Sequence, residues 1–75
     1  MTREQHAVVL VYSTSHAIRA EKVLLSAGIA CKLIPVPRHI SSDCGVCVRV
    51  LRPDGEAARQ ALEQAQVEIE GVHDI

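Results

Sequence analysis

Three cysteines are the residues of this 75-residue chain whose side chains could act as nucleophiles, and their surroundings differ. Cys44 ends a polar run and precedes Gly45, a setting typical of an exposed loop. Cys31 shares the parity of Leu33 in an alternating segment, and Cys47 lies within a valine-rich run. Both of these positions favour a small buried side chain over a reactive one. We therefore predict that Cys44 carries any thiol chemistry and that Cys47 is at most a second thiol.

The two-residue separation of Cys44 and Cys47 allows two further interpretations. The first is a redox dithiol. Residues three apart on a strand face opposite ways and lie roughly 10 Å apart, whereas a disulfide requires Cα atoms within about 7 Å. Cys44 would therefore have to curl back toward Cys47. The second is half of a zinc site with His16 or His39, but a second pair of closely spaced ligands is missing, so we predict no metal and no other cofactor.

The composition excludes several classes of protein. Hydrophobic residues make up 48% of the chain, Tyr12 is its only aromatic residue, and its net charge is −1. A nucleic-acid partner is not expected, because neither a base-stacking surface nor excess positive charge is present. No apolar run could span a membrane and the polar N-terminus does not resemble a signal peptide, so we expect a cytoplasmic protein with reduced thiols. The small aliphatic core predicts one domain, residues 1–75, with a homo-oligomer left open.

Hydrophobic periodicity predicts the elements that must position Cys44. The predicted strands cover residues 6–12, 30–35, 45–51 and 67–73. The first predicted helix covers residues 16–27 and is capped by Gly28. The second begins at Pro53 and is expected to bury Ala58, Ala61, Leu62 and Ala65. The order βαββαβ defines an α+β ferredoxin-like fold: a four-stranded antiparallel sheet, order 4-1-3-2, with two helices on one face. The open face is expected to carry the charges of Lys32, Arg49, Glu68 and Glu70, either solvated or as a dimer interface.

This topology brings the loop that carries Cys44 to the end of the sheet where the first helix begins. The residues expected near the thiol there are Ser13, Thr14, Ser15 and His16. The amides of a helix N-terminus favour an anion, so this position favours the thiolate. Arg38 and His39 would add positive charge, although Arg38 could equally be a solvated loop residue. Ser41 and Ser42 are either turn residues or hydrogen-bond donors to sulfur. Gly45 allows another group to approach the backbone closely. Thr14 is alternatively a plain helix cap.

The segment from Leu33 to Gly45 resembles a small bacterial family described as selenium/sulfur carrier protein-like. The shared features are the prolines and arginine within 35–38, the serine pair at 41–42, the Cys44-Gly45 step, the Ser13–Ala17 segment and the Ala20-Glu21-Lys22 step. The resemblance extends over the whole chain, and members also occur fused to sulfurtransferase-like domains in selenium metabolism. It implies a carrier in which Cys44 holds sulfur or selenium. Cys47 is not part of the family pattern.

The leading hypothesis is therefore a sulfur or selenium carrier. Cys44 would take the chalcogen as a persulfide or selenosulfide from a cysteine desulfurase or sulfurtransferase-like partner and pass it to an acceptor protein. Such a protein is an accessory carrier rather than an enzyme with its own turnover. Two alternatives stay open: a ligand-binding or oligomerising regulatory module of the ferredoxin-like kind without thiol chemistry, and a Cys44/Cys47 dithiol redox module.

Overall fold

The computed structural model describes residues 5–40 and 44–75, which form a four-stranded antiparallel sheet and two helices. The strands are β1 (His6–Leu10), β2 (Cys31–Pro35), β3 (Val46–Leu51) and β4 (Gly71–Asp74); the helices are α1 (Thr14–Ser26) and α2 (Gly55–Gln64), the latter preceded by a 3₁₀ turn (Arg52–Asp54). The sheet order is β2-β3-β1-β4. Both the predicted strand order and the α+β ferredoxin-like class are confirmed.

One face of the sheet packs against both helices and forms what we call the helix-side core. Its fully buried members include Val9 from β1, Val48 from β3, Leu24 from α1 and Leu62 from α2. Val9 lies directly opposite Val48 in the β1–β3 register, so the two central strands supply the middle of the core. Burying each such side chain contributes about 1.5–3 kcal/mol. Small alanines on the helices allow the close approach that a core without Phe or Trp needs.

The opposite face of the sheet carries only two of the four charged residues that the sequence predicts there, Lys32 and Arg49. Val8, Leu10 and Cys47 are buried there and form a second group, the open-face cluster, against which Ile34, Val36 and Ile40 pack. Val36 and Ile40 belong to the connection between β2 and β3. This connection folds back over the sheet because doing so removes apolar surface from water. Lys32 and Arg49 do face this side, but they occupy only part of it.

The fourth strand is shorter than predicted. Residues 67–70 lie outside β4, so Glu68 and Glu70 do not belong to a charged strand face. After α2 the chain turns at Gln66, whose φ of 60° is left-handed, and the Val67 amide donates to the Leu62 carbonyl at 2.9 Å. The alternation of apolar and acidic residues is real, since Val67 is buried and Glu68 is exposed. It belongs to the connection that precedes β4, at the end of which the Glu70 amide donates to the Leu10 carbonyl of β1 at 2.7 Å.

Helix α1 and strand β1 differ slightly from their predicted bounds. Ser13 caps α1, which begins at Thr14 instead of residue 16, and β1 ends at Leu10 instead of residue 12. At the other end of α1, Gly28 has φ +79° and the Ile29 amide donates to the Leu24 carbonyl at 2.9 Å, the bonding of a Schellman cap. No helix in the described ranges is long and apolar enough to cross a bilayer.

Candidate functional site around Cys44

Cys44 lies at the end of the β2–β3 connection, two residues before β3. Its side chain is half-buried and packs against the helix-side core. Gly45 follows with φ +81°, a left-handed conformation that a residue with a Cβ adopts only at a cost. The Gly45 carbonyl accepts a hydrogen bond from the Val36 amide at 3.1 Å, which closes the hairpin next to the cysteine. The left-handed conformation of Gly45 thus sets the direction of the chain between Cys44 and the start of β3.

The start of α1 belongs to the same end of the sheet. Leu10, the last residue of β1, pairs with Cys47, so the chain beyond Leu10 and the chain before Cys47 run to one end. Ser13 caps the helix by accepting a hydrogen bond from the His16 amide at 3.2 Å. The Ser13 hydroxyl also lies 2.6 Å from Nδ1 of His16, and the Tyr12 ring meets that imidazole edge-on, with 6.3 Å between centroids. His16 is therefore held in one orientation by its own neighbours.

The basic residues of the loop are exposed. Arg38 and His39 occupy the middle of a turn that the Ile40 amide closes by donating to the Pro37 carbonyl at 3.0 Å. Neither side chain makes a hydrogen bond or ion pair with another residue of the described ranges. Both side chains are exposed at the surface of this turn. Ser41 and Ser42, predicted as turn residues or as hydrogen-bond donors to sulfur, lie outside the described residues.

Cys47 lies in a different environment from Cys44. It is fully buried in the open-face cluster, and its Sγ is 4.0 Å from the Pro35 carbonyl oxygen. Burial raises the pKa of the Cys47 thiol, and the nearby charge of Cys44 raises it further. Because Cys44 packs on the helix side and Cys47 on the open side, joining them requires a rearrangement of the strand start. This arrangement disfavours a Cys44/Cys47 redox couple.

Cys31 faces the helix side of the sheet, the side that its parity with Leu33 predicts. It packs against the helix-side core, and its Sγ donates to the Glu21 carbonyl at 3.7 Å. Burial raises the pKa of this thiol, with a smaller contribution from the negative charge of Glu21. Cys31 and Cys47 are therefore both kept as neutral thiols at ordinary pH. All three cysteines are present as thiols rather than disulfides.

Sequence reasoning missed a shallow depression of about 310 Å³ beside the first turn of α1. Ser15, His16 and Arg19 line it from the helix, and residues 66–68 line it from the connection before β4. No local signal could have found it, because its two walls are about fifty residues apart in the chain and meet only through packing. Among residues 5–40 and 44–75, no group of three or more His, Cys, Asp or Glu side chains is placed to hold a metal ion.

The fold and this loop describe a small ferredoxin-like domain with a cysteine at the end of its β2–β3 connection. The chain belongs to the family described as "Putative Se/S carrier protein-like", whose model matches residues 6–74. It is also similar to the uncharacterized protein YtiA of Escherichia coli K12, with 34% identity over 47 residues. That match covers 63% of this chain and 55% of the relative, so it spans little more than half of the relative's length. No solved structure matches the chain.

Proposed function

We propose that this protein carries a sulfur or selenium atom on Cys44 and delivers it to a partner protein. The family description names these two elements as cargo. The observation that carries the proposal for this chain is the difference between its thiols. Cys31 and Cys47 are held neutral by burial, whereas Cys44 lies in the connection that leads to the glycine turn at one end of the sheet.

The transfer is a redox-neutral exchange of one chalcogen atom. The Cys44 thiolate attacks the terminal sulfur of a donor persulfide, R–S–SH, and forms Cys44–S–SH while the donor leaves as the thiolate R–S⁻. A selenium donor, R–S–SeH, gives Cys44–S–SeH in the same way. A nucleophile on the acceptor then attacks the terminal atom and regenerates the Cys44 thiolate. Each step replaces one bond to the chalcogen with another, so no oxidant or reductant is consumed.

The surroundings of the loop support an anionic intermediate. A persulfide is more acidic than a thiol and is carried as an anion near neutral pH. The N-terminus of α1, which begins at Thr14 at the same end of the sheet, offers amide groups and the positive end of the helix dipole. Arg38 supplies a guanidinium without a carboxylate partner among the described residues. The imidazole of His16, whose Nδ1 lies 2.6 Å from the Ser13 hydroxyl, belongs to the same end of the sheet.

The partners would be proteins that generate or use persulfides. A cysteine desulfurase or a sulfurtransferase-like protein fits the donor role, since both present a persulfide on an enzyme cysteine. A reduced carrier thiol suits the cytoplasm, where disulfides are rare. The short loop and shallow surface fit a carrier that is loaded and unloaded by other proteins, rather than an enzyme that binds a substrate within a deep pocket.

The direct test is loading. The protein is incubated with a cysteine desulfurase and isotopically labelled cysteine or selenocysteine, and the intact mass and the modified peptide are measured by mass spectrometry. We expect an added sulfur or selenium on the peptide containing Cys44 and its loss in Cys44→Ser. Cys31→Ser is the matched control, because Cys31 is also half-buried, and it should load as well as the unchanged protein.

Two results would overturn the proposal. One is the absence of an adduct on Cys44 under conditions in which the desulfurase loads a known acceptor. The other is an adduct that persists in Cys44→Ser. In the first case, normal alkylation of Cys44 without loading would favour a regulatory module that has no thiol chemistry. Rapid formation of a Cys44–Cys47 disulfide under mild oxidation would instead favour the dithiol redox module.

A further inference from the structure

The open face of the sheet carries a row of basic residues that the carrier function does not use. Lys32 on β2 lies directly opposite Arg49 on β3, Arg49 lies opposite Val8 on β1, and Val8 lies opposite His73 on β4. Three of the four positions in this cross-strand row are therefore basic residues. His6, two residues before Val8 on the same face of β1, is a fourth basic residue nearby.

The pairing of Lys32 with Arg49 is unfavourable by itself. Side chains directly opposite each other on antiparallel strands have Cβ atoms about 4.5–5.5 Å apart, and like charges there destabilise a sheet. The structure provides no compensation, since neither side chain makes a hydrogen bond or ion pair with a described residue. No strand position on this face holds a carboxylate. Asp74 of β4 lies opposite Ala7, on the helix side, and pairs with Arg52 at 3.6 Å.

Arg49 is unusual among the arginines of the described ranges. Three of them are half-buried: Arg49, Arg52 and Arg59. Arg52 pairs with Asp74, and Arg59 pairs with Glu56 and Glu63. Within the described residues, two of the three half-buried guanidinium groups are paired with carboxylates, and the third faces a lysine. A half-buried guanidinium that faces an exposed ammonium group is stabilised when an anion binds between the two charges.

The two cations also border a depression of suitable size. Lys32, Arg49 and His6 line it together with Leu51 and the start of β2, and its volume is about 390 Å³. This space accommodates a phosphate or carboxylate group and part of the molecule that carries it. Arginine offers a planar pair of donors to two oxygens of such a group, and lysine offers a compact charge. The depression lies at the start of β2, whereas Cys44 lies beyond the other end of that strand.

From this row we propose a second binding site, for an oxyanion held between Lys32 and Arg49. The group is a phosphate or a carboxylate, and His6 lies at the border of the site. Binding removes the repulsion between the two cations and so stabilises the folded protein. The site is separate from the Cys44 loop, and its occupancy does not require a loaded chalcogen.

The test combines thermal unfolding with NMR on the whole chain. The midpoint of unfolding is measured as sodium phosphate or sodium succinate replaces sodium chloride at constant ionic strength. The variants are Lys32→Gln and Arg49→Gln, and the control is Lys22→Gln, which removes the same charge from an exposed position on α1. We expect phosphate, succinate or both to raise the midpoint of the unchanged protein and the control by several degrees.

For each site variant, the unfolding midpoint relative to the unchanged protein should differ in direction between sodium chloride and the binding anion. In dilute chloride, Lys32→Gln should unfold at a temperature equal to or higher than the unchanged protein, because the repulsion is gone. In the binding anion it should lose most of the stabilisation. The larger response to phosphate or to succinate identifies the source of the oxyanion. In the NMR titration of the unchanged protein, the amides of Lys32 and Arg49 should shift and saturate.

Three outcomes would overturn this proposal. The first is an equal effect of phosphate and succinate on Lys32→Gln and Lys22→Gln, which would indicate a general salt effect. The second is the absence of saturable shifts at β2 and β3 in both anions. The third is a set of shifts that depends on protein concentration rather than on anion, which would make the row an interface between two copies. Loading of Cys44 is measured separately, so either proposal can fail alone.

Discussion

Gly45→Ala is the substitution that most directly tests how the fold positions Cys44. Gly45 has φ +81°, and a Cβ built there meets nothing within 4 Å. The cost of the substitution is therefore backbone strain and not a steric clash. Gly28 provides a matched control, because it has φ +79°, has the same open space, and caps α1 away from the Cys44 loop.

The magnitude follows from these two facts. The left-handed conformation costs a residue with a Cβ roughly 1–2 kcal/mol. Alanine also restricts the unfolded chain, which returns about 0.4–1 kcal/mol. The net loss of folding free energy is about 1 kcal/mol at either position, which lowers the melting temperature of a domain of this size by roughly 4–8 °C. Asparagine tolerates the left-handed region better, so Gly45→Asn should lose less.

Two assays separate stability from positioning. Denaturant unfolding measures the free energy, and mass spectrometry of the Cys44 peptide follows its alkylation by iodoacetamide at neutral pH. We expect equal destabilisation in Gly45→Ala and Gly28→Ala, but a several-fold slower alkylation of Cys44 only in Gly45→Ala. Equal alkylation rates in the two variants would refute the argument that the Gly45 turn positions the thiol. Full stability of both variants would refute the strain argument itself.

Three further predictions follow from burial and capping. Ser13→Ala should destabilise the protein by about 1 kcal/mol in denaturant unfolding, because it removes the side-chain cap of α1; Ser15→Ala, which removes no cap, should not. Leu62→Ala should cost about 2–5 kcal/mol by the same measurement, since Leu62 is fully buried in the helix-side core. The folded state raises the pKa of the Cys31 and Cys47 thiols. Their contribution to the free energy of unfolding is therefore fully present below the ordinary thiol pKa of about 8.5, and it is lost as pH rises through the higher folded pKa values. Pulse alkylation against pH should show the buried Cys47 reacting last, and a Cys47 that reacts as fast as Cys44 would contradict its burial.

Local patterns in the sequence were sufficient to predict which face of the sheet the side chains of β2 and β3 point to. The alternation of Cys31 and Leu33 with Lys32, and of Val48 and Val50 with Cys47 and Arg49, matches the two faces of the sheet. The same alternation failed as a guide to pairing at residues 67–70. A connection that leaves a helix can also bury every second residue. Only hydrogen bonding to a neighbouring strand makes such a segment part of a sheet, and that neighbour is distant in the sequence.

The chemistry at Cys44 was predicted from residue type and loop context, and its supporting roles remain proposals for Arg38, Thr14 and His16. The structure added the φ of Gly45 and the cap that holds His16. Neither is visible in the sequence as more than a preference, because glycine and serine are also common in turns that do nothing further.

The sequence by itself determined the order of the elements and the composition of the core, and it predicts that Cys44 is the cysteine that reacts. Only the tertiary structure decided that Val36 and Ile40 pack against the open-face cluster, and that Lys32, Arg49 and His73 share one row. The physical reason is the range of the interactions. Helical and strand periodicities arise from neighbouring residues, whereas strand register and the folding of a connection over a sheet depend on segments brought together by burial of the whole core.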